Sequence, residues 1–88
     1  MEELDINITA TGTKYHYKKG TWIYHRLDGP AIEWYNGDKS WFVDGYLHRL
    51  DGPAEVWARG NAWYINGKQI HCRTQEEFER LIKLKYFW

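Results

Sequence analysis

The sequence contains little cysteine, serine or proline, and these shortages exclude several kinds of site. Cys72 is the single cysteine, so an internal disulfide and a cysteine-based zinc site are both excluded. Ser40 is the single serine, and no nucleophile elbow or other base-bearing motif surrounds it. Phosphate-binding loops, HExxH motifs and paired carboxylates are missing as well. The sequence therefore predicts a protein that is not an enzyme and that uses no metal or cofactor.

Long apolar runs and an excess of one charge are also missing. No stretch is long enough to span a membrane, and the acidic start Met1-Glu2-Glu3 is unlike a signal peptide. Twelve basic residues balance twelve acidic residues, and no segment gathers one sign. Broad, sequence-independent DNA binding needs a basic face, so the charge balance argues against it, and we expect no sequence-specific DNA binding either. We expect a cytoplasmic protein that has no membrane partner.

The sequence is rich in aromatic residues and contains an internal repeat. Six Trp, seven Tyr and three Phe occur in 88 residues. The seven residues at 25–31, His-Arg-Leu-Asp-Gly-Pro-Ala, return unchanged at 48–54, an offset of 23. A fixed period of this size is typical of architectures that stack copies of one unit. We therefore expect one domain over residues 1–88, built from stacked units.

The pattern predicts a mainly β fold of serial antiparallel hairpins with a period of about 23 and one C-terminal capping helix. An N-terminal strand is predicted at 1–11 and a degenerate repeat at 12–30. Two further repeats are predicted at 31–53 and 54–73, followed by a helix with an aromatic tail at 74–88. Strands are predicted at 31–35, 40–43, 54–57 and 63–65.

Turn residues separate these predicted strands. Asp44-Gly45 and Asn66-Gly67 are typical of tight hairpins, because both residue types tolerate positive φ. When the repeats at 31–53 and 54–73 are aligned, the first contains one residue more than the second, near Asn36-Gly37. We predict a three-residue loop there with Gly37 in the left-handed conformation. In the second repeat, Val56 is expected opposite Trp63.

The C-terminal residues predict a capped helix. Thr74 is the expected N-cap, with Glu77 reaching back in a capping box. The tail Tyr86-Phe87-Trp88 is expected to pack on the sheet or on a second subunit. We expect a homodimer formed through an exposed sheet edge or through this tail.

The spacing Trp41-x-x-x-Gly45-x-x-His48-Arg49-x-Asp51-Gly52-Pro53-Ala54 resembles the HRxDGPA-type repeats of small bacterial and tailed-phage proteins. These repeats are distantly similar to MORN-like β-hairpin repeats, and the resemblance covers roughly residues 12–73. It implies a repeat-built binding scaffold. Small phage proteins of this kind often act against host defences, including immunity signalled by nucleotides.

Arginine, histidine and tryptophan side chains are the candidate ligand-binding groups. Arginine offers a planar fork for phosphate or carboxylate, histidine adds a donor, and tryptophan stacks on a base. The candidates are His25, Arg26, His48, Arg49, Trp22, Trp41, Trp63 and Arg73. Two structural alternatives stay open. In the first, Arg26 and Arg49 pair with Asp28 and Asp51 of a neighbouring repeat. In the second, which is the prediction for the tryptophans concerned, Trp34, Trp41, Trp57 and Trp63 belong to the core.

These residues favour a non-enzymatic binding protein. Its ligand is predicted to be a small nucleotide-like anion, sequestered as a phage-type anti-defence protein would do. The alternative is an adaptor or inhibitor that docks its aromatic sheet face on a host protein. A structural virion accessory is neither supported nor excluded. Arginines with free guanidinium groups in a shared cleft would favour the anion, whereas arginines closed on aspartates would favour the adaptor.

Overall fold

The computed structural model describes residues 2–84, and this part of the chain is mainly β. Antiparallel strands form a seven-stranded and a two-stranded sheet, and one helix follows them in the described range. The elements are β1 Leu4–Ile8, β2 Lys14–Lys18, β3 Ile32–Glu33, β4 Lys39–Ser40, β5 Phe42–Val43, β6 Tyr46–Leu47, β7 Glu55–Trp57, β8 Gly60–Ile65, β9 Lys68–Ile70 and α1 Gln75–Lys83. The predicted mainly β chain with a C-terminal helix is confirmed. The predicted aromatic tail at 86–88 lies outside the described residues.

The large sheet has the strand order β1-β2-β3-β4-β7-β8-β9, so β1 and β9 are its edges. β5 and β6 pair with each other in the small sheet. The chain segment around Tyr24 connects the two sheets. Tyr24 forms a bridge with Tyr17 of β2, and the next residue but one, Arg26, donates its N–H to the carbonyl of Phe42 at 3.0 Å.

The predicted turns are confirmed. Asp44 and Asn66 have φ angles of 53° and 49°, and each opens a two-residue hairpin turn. The extra residue near Asn36 lies in a three-residue loop, because Trp34 donates its N–H to the carbonyl of Asp38 at 2.9 Å. Gly37 closes that loop with φ 94°, a conformation that favours glycine.

Two strand predictions were wrong. The strand expected at 40–43 is interrupted at Trp41: Ser40 belongs to the large sheet and Phe42 to the small one. The N–H of Trp41 instead donates to the carbonyl of Ala54, the last residue of the second repeated segment, at 2.7 Å. Val56 lies opposite Asn61 and not opposite Trp63, because the loop after β7 contains only two residues.

The hydrophobic core lies between the last hairpin and the helix. It contains Trp63 and Ile65 of β8, Ile70 of β9 and Phe78 of α1. The helix is capped as predicted, since the N–H of Glu77 donates to Oγ1 of Thr74 at 3.1 Å. The Glu77 carboxylate accepts from the N–H of Arg73, one residue before the cap, at 2.7 Å. In residues 2–84, no helix has the length and apolar character needed to cross a membrane.

The large sheet has two distinct faces. Cross-strand register joins Tyr15, Ile32, Ser40, Glu55 and Ala62, which therefore share one face. The neighbouring Trp63 lies on the other face, where the helix packs. The sheet thus has one face covered at its C-terminal end by α1 and one face that carries tyrosine and tryptophan.

Candidate binding surfaces

The repeated segments 25–31 and 48–54, called here the HRLDGPA segments, form the same ion pair. Arg26 Nε donates to Asp28 Oδ1 at 3.0 Å, and Arg49 Nε donates to Asp51 Oδ1 at 2.9 Å. The hydrogen bond from Arg26 holds the pKa of Asp28 below its ordinary value. Each arginine is therefore closed on an aspartate of its own segment, and not on one of a neighbouring repeat.

Each guanidinium also folds back over its own backbone. Nη1 donates to the carbonyl of the proline four residues later, at 3.2 Å in the first segment and 3.1 Å in the second. This return brings the guanidinium against the glycine that precedes the proline. A Cβ on Gly52 would lie 2.6 Å from Arg49 Cζ, and one on Gly29 would lie 2.9 Å from Arg26 Cζ. The sequence Asp-Gly-Pro therefore makes room for the arginine.

The histidines connect each segment to the turn of the following hairpin. His25 Nδ1 accepts from the backbone N–H of Asp44 at 2.9 Å, and His48 Nδ1 accepts from that of Asn66 at 3.1 Å. A ring nitrogen that accepts a hydrogen bond carries no proton, so this arrangement requires an Nδ1 without hydrogen in each ring. Burial lowers the pKa of His48, which favours the neutral form of its ring.

Each arginine contacts a different ring. Arg49 Cζ lies 3.8 Å from the ring centroid of Trp41, a cation–π contact. Arg26 Nη1 lies 3.3 Å from Nε2 of the buried His16. His16 and Trp41 occupy matching places, because each donates its backbone N–H at 2.7 Å to the alanine carbonyl that ends the segment.

A cleft of about 460 Å³ separates the two HRLDGPA segments. Of the predicted ligand-binding residues, it brings together Arg26, Trp41, His48 and Arg49. The remaining lining residues are Leu27, Asp28, Gly29, Val43, Leu50 and Asp51. Because each arginine has an aspartate beside it, the cleft has no excess of positive charge. In the described part of the chain, Nη2 of each arginine has no hydrogen-bond partner.

The other four predicted residues lie outside this cleft. His25 Nε2 faces a carboxylate oxygen of Glu2 at 3.7 Å. Trp22 is 82% exposed and lies at a separate depression beside β1. Trp63 is buried in the core, which confirms the structural alternative for that residue. Arg73 lies at the start of α1, where its N–H is used by the helix cap.

His71 and Arg73 form a third, looser copy of the His-Arg pair in the sequence, and this copy does not repeat the geometry of the first two. His48 donates its N–H to the carbonyl of Trp41 at 3.1 Å. In the last hairpin, the ladder partner of Trp63 is Ile70. Ile70 therefore holds the place of His48, and it is buried against the helix. Arg73 consequently has no counterpart among the arginines of the cleft.

Seven aromatic side chains form a continuous band, called here the aromatic band. Neighbouring ring centroids lie between 5.2 and 6.4 Å apart. Followed from one end to the other, its members are Trp22, Tyr17, Tyr24, Tyr15, Trp34 and Trp57, and Phe42 branches from it by its contact with Tyr24. Register places Tyr15 on the sheet face opposite Trp63 and the helix. The band therefore lies on the face that α1 does not cover.

Sequence reasoning missed most of this band. Tyr15, Tyr17 and Tyr24 were not among the predicted site residues, although Tyr15-His16-Tyr17 alternates as a strand does. That alternation alone places both tyrosines on one face and His16 on the other. The core prediction is wrong for Trp57, which is 42% exposed.

Metal binding has no cluster to support it in residues 2–84. No group of three or more histidine, cysteine, aspartate or glutamate side chains gathers there at a spacing that would hold an ion.

Comparisons with models of known protein families, with curated proteins and with solved structures found no match.

Proposed function

We propose that this chain is a non-enzymatic binding protein that docks on another protein through the aromatic band. The observation that carries the proposal is the exposure of the two ends of the band. Trp22 is 82% exposed and Trp57 is 42% exposed. Large exposed apolar patches mark interaction sites, and tryptophan and tyrosine dominate the energetics of protein interfaces.

The band is also held rigid before any partner arrives. Tyr17 is buried, and it contacts both Tyr24 and Trp22. Trp34 stacks on Trp57 with an interplanar angle of 29°, and its Nε1 donates to Ser40 at 3.4 Å. Because these rings have little freedom left to lose, docking costs little side-chain entropy.

Polar groups border the band at both ends. Asn36, Asp38 and Arg59 surround a depression of about 400 Å³ beside Trp57. Asp5 and Asn7 lie at a depression of about 480 Å³ on the side of Trp22. An aromatic centre with a polar rim is the usual composition of a protein interface.

Trp57→Ala tests this proposal. The purified protein is used to capture partners from a bacterial lysate, and binding of a captured protein is then titrated. Since a buried interface tryptophan contributes about 2 kcal/mol or more, we expect the dissociation constant to rise at least about 30-fold.

The matched control is Tyr46→Ala, which removes an exposed aromatic ring outside the band. It is expected to bind as the unchanged protein does. Thermal melting verifies that both variants are folded. Equal binding by the two variants would contradict docking through the band.

A second candidate function is capture of a small nucleotide-like anion in the cleft between the HRLDGPA segments. It is supported by Arg26 and Arg49, which line the same cleft and each retain an Nη2 group without a partner in residues 2–84. The two aspartates oppose it, because their charges already balance the arginines. The cleft is therefore the weaker candidate of the two.

A thermal-shift panel of mono-, di- and cyclic nucleotides and NAD-derived compounds tests the cleft. A ligand at one hundred times its dissociation constant is expected to add about 2.7 kcal/mol to the free energy of unfolding. Arg49→Ala is expected to abolish the shift, and Arg59→Ala, at the far end of the aromatic band, is expected to retain it. A panel without any shift would argue against anion capture.

We also propose that the chain is a stack of hairpin repeats of period about 23, similar to MORN-like repeats. The matching hydrogen bonds of the two HRLDGPA segments support this relation. The resemblance to phage HRxDGPA proteins supports an anti-defence role in the cytoplasm of a bacterial host. In that role the partner of the aromatic band would be a host protein.

A further inference from the structure

The edge strand β1 has an unpaired side. β2 covers one side of β1, and no other strand of residues 2–84 pairs with it. Thr9, just after β1, donates its N–H to the carbonyl of Thr13 and so belongs to a bonded pair of the hairpin. Since bonded and non-bonded positions alternate along an antiparallel pair, the backbone groups of Leu4, Ile6 and Ile8 point away from β2. These groups form a row of open donors and acceptors.

The two edges of the large sheet differ in how they are protected. β9 is three residues long, carries Lys68, and has Ile70 buried under the helix. β1 is five residues long and contains neither lysine nor proline, the usual means of blocking an edge. Its single charge, Asp5, is already engaged, because one carboxylate oxygen accepts the N–H of Gly20 at 2.7 Å. β1 is therefore the open edge.

The sequence of β1 is complementary to itself in the antiparallel direction. A two-fold axis at Ile6 places Ile6 opposite Ile6, Leu4 opposite Ile8, and Asp5 opposite Asn7. The three apolar positions then share one face, where Ile6 and Ile8 are 58% and 59% exposed. On the other face, the Asn7 amide donates to the Asp5 carboxylate. Moving the register by two residues toward the N-terminus would instead place Asp5 opposite Asp5, which is unfavourable.

We infer that β1 pairs with β1 of a second copy of this chain, antiparallel and about a two-fold axis at Ile6. The pairing joins two seven-stranded sheets into one and covers the exposed isoleucines of both copies. Trp57, on β7, lies four strands away from β1 in the sheet order. The dimer therefore leaves that end of the aromatic band open, and the inference does not depend on the proposed function.

Sedimentation equilibrium measures the mass directly. We expect a dimer of twice 10.6 kDa. Ile6→Lys places two like charges at the axis and is expected to raise the dimer dissociation constant at least about 100-fold. Gln69→Lys adds the same charge to the opposite edge strand and is expected to leave the dimer intact. Circular dichroism verifies the fold of each variant, and Ile6 is exposed enough in one copy for the substitution to be tolerated.

Disulfide cross-linking tests the register, in a Cys72→Ser background so that only the new thiols react. Bonded strand pairs have Cα atoms about 5.5 Å apart, within disulfide range. Ile6→Cys is expected to cross-link to itself. Leu4→Cys alone is not expected to cross-link, since its two copies lie about 14 Å apart. A mixture of Leu4→Cys and Ile8→Cys is expected to cross-link, because these two positions lie opposite each other.

Three results would overturn the inference. The first is a monomer at millimolar concentration. The second is a dimer that Ile6→Lys, shown to be folded, does not weaken. The third is a dimer in which Leu4→Cys cross-links to itself and Ile6→Cys does not. The cross-linking arm does not depend on the lysine variant, so a failure of Ile6→Lys to fold leaves the register test in place.

Discussion

The two HRLDGPA segments have the same seven residues and the same internal hydrogen bonds, yet their arginines lie on different rings. Arg49 lies over the indole of Trp41, and Arg26 lies beside the imidazole of His16. The residues inside a segment thus determine how the arginine closes on its aspartate and its proline carbonyl. The residue that donates its backbone N–H to the last alanine of the segment, His16 or Trp41, determines which ring the guanidinium contacts.

This difference gives the two arginines different surroundings, which are polar for Arg26 and aromatic for Arg49. The guanidinium of Arg26 also reaches Glu33 at 3.4 Å, and Glu33 lies 3.9 Å from the ring of His16. Arg49 rests on an aromatic ring instead. The first segment therefore depends on a network of polar groups, whereas the second depends on packing and a cation–π contact. Three substitutions separate these contributions.

Trp41→Ala is expected to have the largest effect. It removes a half-buried indole and the surface on which Arg49 rests, so the free energy of unfolding is expected to fall by about 2–3 kcal/mol. Urea unfolding at neutral pH measures it. Tyr46→Ala is the control, since it removes an exposed ring from the small sheet that begins next to Trp41, and it is expected to cost less than about 1 kcal/mol. Equal losses in the two variants would show that the indole under Arg49 stabilises the fold no more than an exposed ring does.

Gly52→Ala is expected to have the next largest effect. Its Cβ would lie 2.6 Å from Arg49 Cζ, and that guanidinium is held by Asp51, the Pro53 carbonyl and Trp41. We expect a loss of about 1–3 kcal/mol, as for other overpacked sites, and a smaller loss for Gly29→Ala.

A double variant identifies the cause of that loss. If the clash with the guanidinium is responsible, Gly52→Ala costs little in a protein that already carries Arg49→Ala. A cost that persists in the double variant would show that Gly52 acts through its backbone instead. Thermal unfolding of the four proteins of this cycle gives the coupling energy.

The smallest change in the free energy of unfolding is expected from the titration of His48 with pH. Burial lowers the pKa of His48 below its ordinary value of 6.5, so below that pH the unfolded chain binds the proton more readily than the folded chain does. The contribution of His48 to the free energy of unfolding is therefore fully present above pH 6.5, and it falls as the pH drops, until His48 is also protonated in the folded state.

His48→Gln is expected to flatten this part of the stability profile, measured by urea unfolding between neutral and acidic pH. A profile that falls as steeply in His48→Gln as in the unchanged protein would show that another group causes the fall.

Local chemistry made much of the fold predictable. Asp44-Gly45, Asn66-Gly67 and the loop closed by Gly37 follow from the backbone preferences of a few residues. The N-cap at Thr74 follows from a side chain that accepts one backbone N–H. Each of these features depends on neighbours in the chain, so the sequence contains the information in one place.

The rest depends on contacts between distant segments. The strand expected at 40–43 breaks because Trp41 bonds to the second HRLDGPA segment, which a local pattern does not reveal. Arg26 and Arg49 line one cleft, which was not a prediction but the condition that would favour an anion ligand. Their closure on aspartates was only one of the alternatives, because Arg and Asp at this spacing fit either outcome. The aromatic band was missed because it depends on the register of several strands.

The hydrogen bonds from the turns to His25 and His48 affect how the protein exchanges its amide hydrogens with solvent. Asp44 and Asn66 lie at exposed turn tips, where backbone amides ordinarily exchange rapidly. Here both amides are held by an imidazole that belongs to a segment 18 or 19 residues earlier. Their exchange therefore requires the preceding segment to separate from the turn, so two amides at the surface report on contacts between successive hairpins.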